Sequence, residues 1–134
     1  MSKLYMLDTN IVSELARNPQ GKTAQQIAIA GAETICVSII TACELRYGCA
    51  RKKSPRLSAQ IEAILGSVQV LAFDVPADTE YGVMREQLEA AGKPIGPNDL
   101  LIAAHAYAIG AILVTGNISA FGRVHGLQVE NWLA

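Results

Sequence analysis

Aromatic side chains are scarce in this chain: two Phe, four Tyr and one Trp among 134 residues. Modules that read RNA by stacking several bases on an aromatic sheet need more than this, which excludes a fold of the RNA-recognition-motif kind. Neither sign of charge is in excess. With 11 Lys and Arg against 12 Asp and Glu the formal charge is −1, so only local clustering can attract a polyanion. Cys36, Cys43 and Cys49 are an odd number without CxxC spacing, which argues against both a disulfide framework and a zinc site. All three lie in apolar stretches and are expected to be small buried hydrophobes in a reducing cytosol. Long hydrophobic runs are also missing. The longest, Leu100 to Val114, is broken by His105 and Gly110 and falls below the ~18–20 residues that cross a bilayer. Leu4 to Leu7 is too short for the core of a signal peptide. The expectation is a cytoplasmic protein with no membrane segment.

What the chain does have is apolar mass. Hydrophobic residues make up 51% and charged residues 17%, a balance that excludes intrinsic disorder. At ~100–200 residues per domain, residues 1–134 are expected to form a single domain. Short apolar runs at Lys3–Leu7, Thr34–Val37, Gln69–Phe73 and Ala111–Val114 predict buried strands, with Gln128–Trp132 as a fifth at the edge. Helices are expected between them: from a Thr9 or Asn10 cap to Arg17, over Thr23–Ala30, from the Ser38 cap to Ala50, from Ser54-Pro55 to Gly66, over Asp78–Ala91, and from Pro97-Asn98-Asp99 to Ala108. Strands that read as continuous apolar runs, alternating with helices, indicate an α/β fold. The expected architecture is three-layer α/β/α around a central, mainly parallel sheet of four to five strands.

Ligands of such folds bind outside the carboxyl ends of the strands. Asp8, Thr9 and Asn10 follow the first strand, Ser38 the second, and Thr115, Gly116 and Asn117 the fourth. Asp8 and Asp99 also have an ordinary reading as helix-start acids. Glu44 is harder to explain in that way. Its helical neighbours Ile40, Thr41, Tyr47 and Gly48 make a mostly uncharged face, where a carboxylate must be paired, desolvated or metal-bound. The Asp99 helix is apolar all round and therefore central, which turns its first acid toward a cleft. Three carboxylates converging there would repel one another, and a hard divalent cation such as Mg²⁺ or Mn²⁺ removes that repulsion. His105 and His125 lack the spacing of a zinc site.

Four segments carry a resemblance. Met6-Leu7-Asp8-Thr9-Asn10, Ala42-Cys43-Glu44-Leu45-Arg46-Tyr47-Gly48, the stretch Ile95 to Ala106 around Asn98-Asp99, and Leu113-Val114-Thr115-Gly116-Asn117 with Phe121 resemble PIN-domain proteins. They are most similar to the VapC-type toxins of bacterial VapBC toxin–antitoxin modules, in the family's order along essentially the whole chain. The resemblance implies a Mg²⁺- or Mn²⁺-dependent endoribonuclease. Asp8, Glu44 and Asp99 match the acidic metal-binding positions, and Asn117 stands where many PIN domains carry a fourth acid. An amide there still accepts a bond from a metal-bound water but removes a negative charge, which disfavours a second ion. Thr9 and Thr115 match polar positions that orient acids or waters. Ser38 is a third such position, with helix capping as its other reading.

A metal-activated water would leave 5′-phosphate and 3′-hydroxyl ends, since no pair of His residues is placed for 2′-hydroxyl chemistry. Arg46, Arg51, Lys52, Lys53 and Arg56 put five of the 11 basic residues in one short stretch. The stretch reads as a solvated loop or as an RNA-phosphate contact. For Arg85 an exposed helical position is expected. The resemblance further implies a homodimer and a toxin–antitoxin hetero-oligomer with a VapB-type antitoxin, and an RNA substrate that in similar toxins is often tRNA and in others ribosomal RNA or mRNA, among which the sequence does not choose. Apolar residues Ile11, Val12, Leu15 and Ile27 read equally as partner surface or as core. The competing reading is a catalytically weak PIN-like RNA- or protein-binding module, supported by Asn117 alone. A receiver domain would need an acidic pair and a later Lys, and a haloacid-dehalogenase-like phosphatase would need Asp at position 10; both are missing.

Overall fold

Tyr5–Leu7 (β1), Ile35–Ser38 (β2) and Ile112–Val114 (β4) are the interior strands of a five-stranded sheet in a computed structural model that describes residues 3–133. Gln69–Leu71 (β3) and Val129–Glu130 (β5) lie outside them. The order is β3-β2-β1-β4-β5, and every pairing is parallel, with Met6 opposite Cys36 on one side and Leu113 on the other. Parallel neighbours need a crossover each time. Those crossovers supply Thr9–Arg17 (α1), Lys22–Ala30 (α2), Ile39–Lys52 (α3), Pro55–Ser67 (α4), Ala77–Ala90 (α5) and Pro97–Ala108 (α6). The four- to five-stranded α/β/α expectation therefore holds.

Successive strand residues point to opposite faces, and the core divides accordingly. Met6, Cys36 and Leu113 pack with Met84 and Leu88 of α5 and with Leu100, Ile102 and Ala103 of α6. Leu7, Val37 and Val114 pack the other way, against Ile11 and Val12 of α1 and Ile61 and Leu65 of α4. Ile11 and Val12 are thus fully buried core, and neither is free to serve a partner. Leu15 and Ile27 remain half-buried, and Ile29, which no sequence pattern singles out, is 78% exposed. Helix α6 is buried along most of its length, as its all-round apolar sequence requires.

Several boundaries differ from the expectation, each for a physical reason. Asp8 caps α1, accepting the Ile11 amide at 3.0 Å, so Thr9 is already helical. Helix α3 continues through Arg51 and Lys52, where positive charge complements the C-terminal dipole, and Arg56 belongs to α4. The anticipated basic loop shrinks to Lys53, in the left-handed conformation, and the α4 cap Ser54. Strand β3 stops at Leu71, because its pairing partner β2 ends opposite it at Ser38, where the chain turns into α3. The single turn Ile118–Phe121 (α7) buries Phe121 and is too short to show a helical period in the sequence. Cys36 is buried as expected, and burial pushes its thiol up to about 12; Cys43 is exposed on the outer face of α3, and Cys49 is half-buried against the edge of the α1–α4 core.

Leu113 is fully buried at the centre of the sheet. Leu113→Ala should cost ~2–5 kcal/mol, read as a lowered denaturant midpoint with an unchanged slope.

Candidate active site

The chain runs from β1 to β2 on one side of the sheet and from β3 across to β4 on the other, so the order reverses between β1 and β4. Ligand crevices of parallel sheets open at that reversal, beyond the carboxyl ends. Asp8 leaves β1 there and Thr115 leaves β4. Asp8 is only 4% exposed, and its backbone amide is tied across the gap to the Val114 carbonyl at 3.0 Å. Burial pushes its carboxyl above the ordinary value, and the negative charges of Asp99 and Glu44 push the same way. Hydrogen bonds from the Thr115 hydroxyl and the Ile11 amide oppose that rise without cancelling it. Thr115 is itself fully buried and accepts the Asn117 amide at 2.9 Å.

Glu44 reaches this corner from the middle of α3 and is half-buried, as its uncharged helix face required. The Thr9 hydroxyl donates to its Oε1, and the Asn98 amide donates to its Oε2 at 3.1 Å. Both carboxylate oxygens are therefore fixed in place by side chains from the helices that carry the other two acids. Asp99, in the first turn of α6, is half-buried; desolvation and then the Glu44 charge raise its carboxyl above the ordinary value. Three elements thus bring Asp8, Glu44 and Asp99 close enough to feel one another. Among the described residues no three His, Cys, Asp or Glu side chains close to direct metal-ligand spacing.

The remaining expected residues fall into place unevenly. Ser38 is buried at the end of β2, accepts the Ile40 amide at 3.1 Å, and sits 2.7 Å from His105 Nδ1. Its role is to cap α3 and tie that helix to α6, so it positions the acids without facing them. Asn117 is exposed, and its Oδ1 accepts the Ser119 hydroxyl at 3.2 Å. Arg46 is paired with Glu62, whereas Arg51, Lys52, Lys53 and Arg56 are exposed. Lys52 lines a cleft of about 140 Å³ together with Glu44, Thr9 and Arg17. Arg17 escapes sequence reasoning because it stands alone on α1, far from the basic stretch. Asn98 and His105 escape it as well, since each acts on a residue more than 50 positions away. Arg85 is an exposed helical residue bound to Glu89 and Tyr81, as expected.

The PIN domain model matches residues 5–127. This chain belongs to the PIN-domain family. Ribonuclease VapC2 of Rickettsia felis is 39% identical to it over 131 residues, covering 96% of this chain and 98% of that protein. The tRNA(fMet)-specific endonuclease VapC of Shigella flexneri is 37% identical over 129 residues, covering 96% and 97%. Among solved structures, that of VapBC2 from Rickettsia felis bound to a promoter DNA fragment superposes with a TM-score of 0.90 at 36% identity, over 96% of this chain and 98% of that one.

Burial holds the His105 imidazole below its ordinary 6.5, so the folded chain keeps it neutral while the unfolded chain takes up a proton near that pH. Its contribution to stability is complete above pH 6.5 and is lost as the pH falls through the lowered folded value. His105→Gln should flatten the acid-side loss that sets in as the pH falls below about 6.5, read from denaturant midpoints across the acid range.

Proposed function

We propose that this chain is a Mg²⁺- or Mn²⁺-dependent endoribonuclease, the toxin of a toxin–antitoxin pair. The observation that carries this reading is the convergence of Asp8, Glu44 and Asp99 at the sheet's switch point, where the Glu44 charge raises the carboxyls of both aspartates. Asp8 and Asp99, whose carboxyls burial and neighbouring charge raise, make with Glu44 an all-oxygen donor set of the kind hard divalent ions prefer. Mg²⁺ keeps several of its own waters, so acids that couple without meeting suit it. When bound, the ion supplies a polarised phosphate and a water of lowered pKa.

The protein's own groups do the positioning. Asp8, Glu44 and Asp99 hold the ion, and Thr9 and Asn98 keep both Glu44 oxygens turned inward. Thr115 steadies the Asp8 carboxylate. Asn117 occupies the rim, where its amide adds no charge and leaves the acids suited to one ion. His105 is buried against Phe73 and Ser38, and His125 is exposed beyond α7, so neither is paired for 2′-hydroxyl chemistry. Hydrolysis by water then leaves 5′-phosphate and 3′-hydroxyl ends. Arg51, Lys52, Lys53 and Arg56 contact the RNA backbone beside the acids, joined by Arg17 across the small cleft.

The relatives' names support the ribonuclease reading, with tRNA(fMet) named for the Shigella and Salmonella proteins, and solved relatives include members of the VapBC family of toxin–antitoxin systems. The same reading assigns this chain a VapB-type antitoxin and a homodimeric toxin core, with tRNA as the substrate to test first. None of the described helices is long and apolar enough to cross a membrane.

Added Mn²⁺ should raise the melting temperature of the wild type, by the equivalent of ~2.7 kcal/mol at a hundredfold excess over Kd. Asp8→Asn keeps a cap-competent side chain, so it should fold, lose that rise and lose RNA cleavage together. End-mapping should find 5′-phosphates; cyclic 2′,3′-phosphate products would overturn the hydrolytic route. Neutralising Arg51, Lys52, Lys53 and Arg56 should flatten the salt dependence of RNA binding, by ~0.7 in logarithmic slope for each phosphate that the variant no longer engages.

A further inference from the structure

Ile40, Cys43, Glu44 and Tyr47 recur at spacings of three and four along α3 and so share one face of the helix. With Thr9 and Asn98 they line an open groove of about 540 Å³, a volume that admits a nucleobase. The candidate acid Glu44 and Tyr47, one helical turn further on, thus both line the groove from the α3 side. Tyr47 is 67% exposed. The other strongly exposed aromatic, Tyr107, is 42% exposed and has its ring against Gly126. A large ring left in water forgoes burial free energy, so its placement beside the acids calls for a partner. One turn beyond Tyr47, Arg51 is exposed and has no ion-pair partner among the described residues, whereas Arg46 is already paired with Glu62. Along about 10 Å of one helix, a carboxylate and an aromatic side chain line the groove and a free guanidinium follows one turn beyond its lining. The chemistry complementary to that series is a phosphodiester, a base and a second phosphate.

We propose that Tyr47 is the stacking platform for the nucleobase adjoining the scissile phosphodiester, with Ile40 and Cys43 as the apolar floor beneath it. The proposal rests on the ribonuclease reading and deepens it: the substrate at this site is a single-stranded or splayed-out nucleotide, because a paired base has no free face to offer. A π-face is common to all four bases, so the contact fixes the strand's position and is tolerant of sequence. A second copy of this chain is the other occupant that an exposed ring could have. The unpartnered Arg51 one turn beyond the groove and the candidate metal-holding acid within it favour RNA, since a cationic group and an ion site flanking an aromatic ring suit a polyanion with apolar bases.

The test uses a single-stranded oligoadenylate carrying one 2-aminopurine, bound to the uncleaving Asp8→Asn chain, with fluorescence quenching as the report of stacking. Tyr47→Ala and Tyr47→Leu in that background should weaken binding by about 5- to 140-fold, the span that ~1–3 kcal/mol per stacked base represents, and should abolish the quench. Tyr47→Phe and Tyr47→Trp should retain both, and all four should melt at the parent's temperature because the ring is outside the core. Quenching that survives Tyr47→Leu would overturn the proposal. So would light scattering showing that Tyr47→Ala converts a dimer to a monomer, which would place the ring under a second chain. Failure of the ribonuclease reading registers separately, as a wild type that shows no metal-dependent cleavage of RNA.

Discussion

Everything at the carboxyl edge of this sheet follows from placing like charges together around one buried carboxylate. Asp8 is buried at the gap between β1 and β4, and Glu44 and Asp99 add their fields to the same corner. Left to itself such a corner is a defect in the fold, one that burial and repulsion both oppose. The surrounding structure is organised to hold it in spite of that. The α1 amide of Ile11 and the Thr115 hydroxyl stabilise the Asp8 charge, while Thr9 and Asn98 fix Glu44 from either side. The Ser38–His105 contact fastens α3 to α6, the two helices whose acids must stay opposed. Local instability of this kind, sustained by a well-packed scaffold, is common at functional sites.

Two cores hold the scaffold rigid. Because strand residues alternate, each strand stitches the α5–α6 layer to the α1–α4 layer, and the sheet transmits little freedom to its carboxyl edge. The acids lie on the first turn of a helix, the end of a strand and the centre of a helix. None of them is on a loop, and position is kept better on such elements.

Much of this is legible in the amino-acid order, and the boundary of legibility is physical. Asp8, Ser38 and Thr115 stand out because strand ends are visible as the ends of apolar runs. Glu44 stands out because a carboxylate on an uncharged helix face is a local contradiction. Helix α6 announces its own burial. What stays hidden depends on contacts between distant positions. Nothing near His105 signals that its partner is Ser38, 67 residues away, and nothing near Asn98 signals that it serves Glu44, 54 residues away. Arg51 and Lys52 read as loop because basic residues before a Ser-Pro look like punctuation, whereas at a helix C-terminus they extend it. Cys43 reads as core because its neighbours in sequence are apolar, but three-dimensional packing turns it outward.

The outermost strands, β3 with three residues and β5 with two, give the sheet almost no open ladder of amides and carbonyls at its flanks. A polypeptide seeking to extend the sheet would find too few pairing sites to register against. Quaternary assembly by this fold is thereby channelled to its helical faces, and its propensity for fibrous, edge-to-edge stacking is kept low.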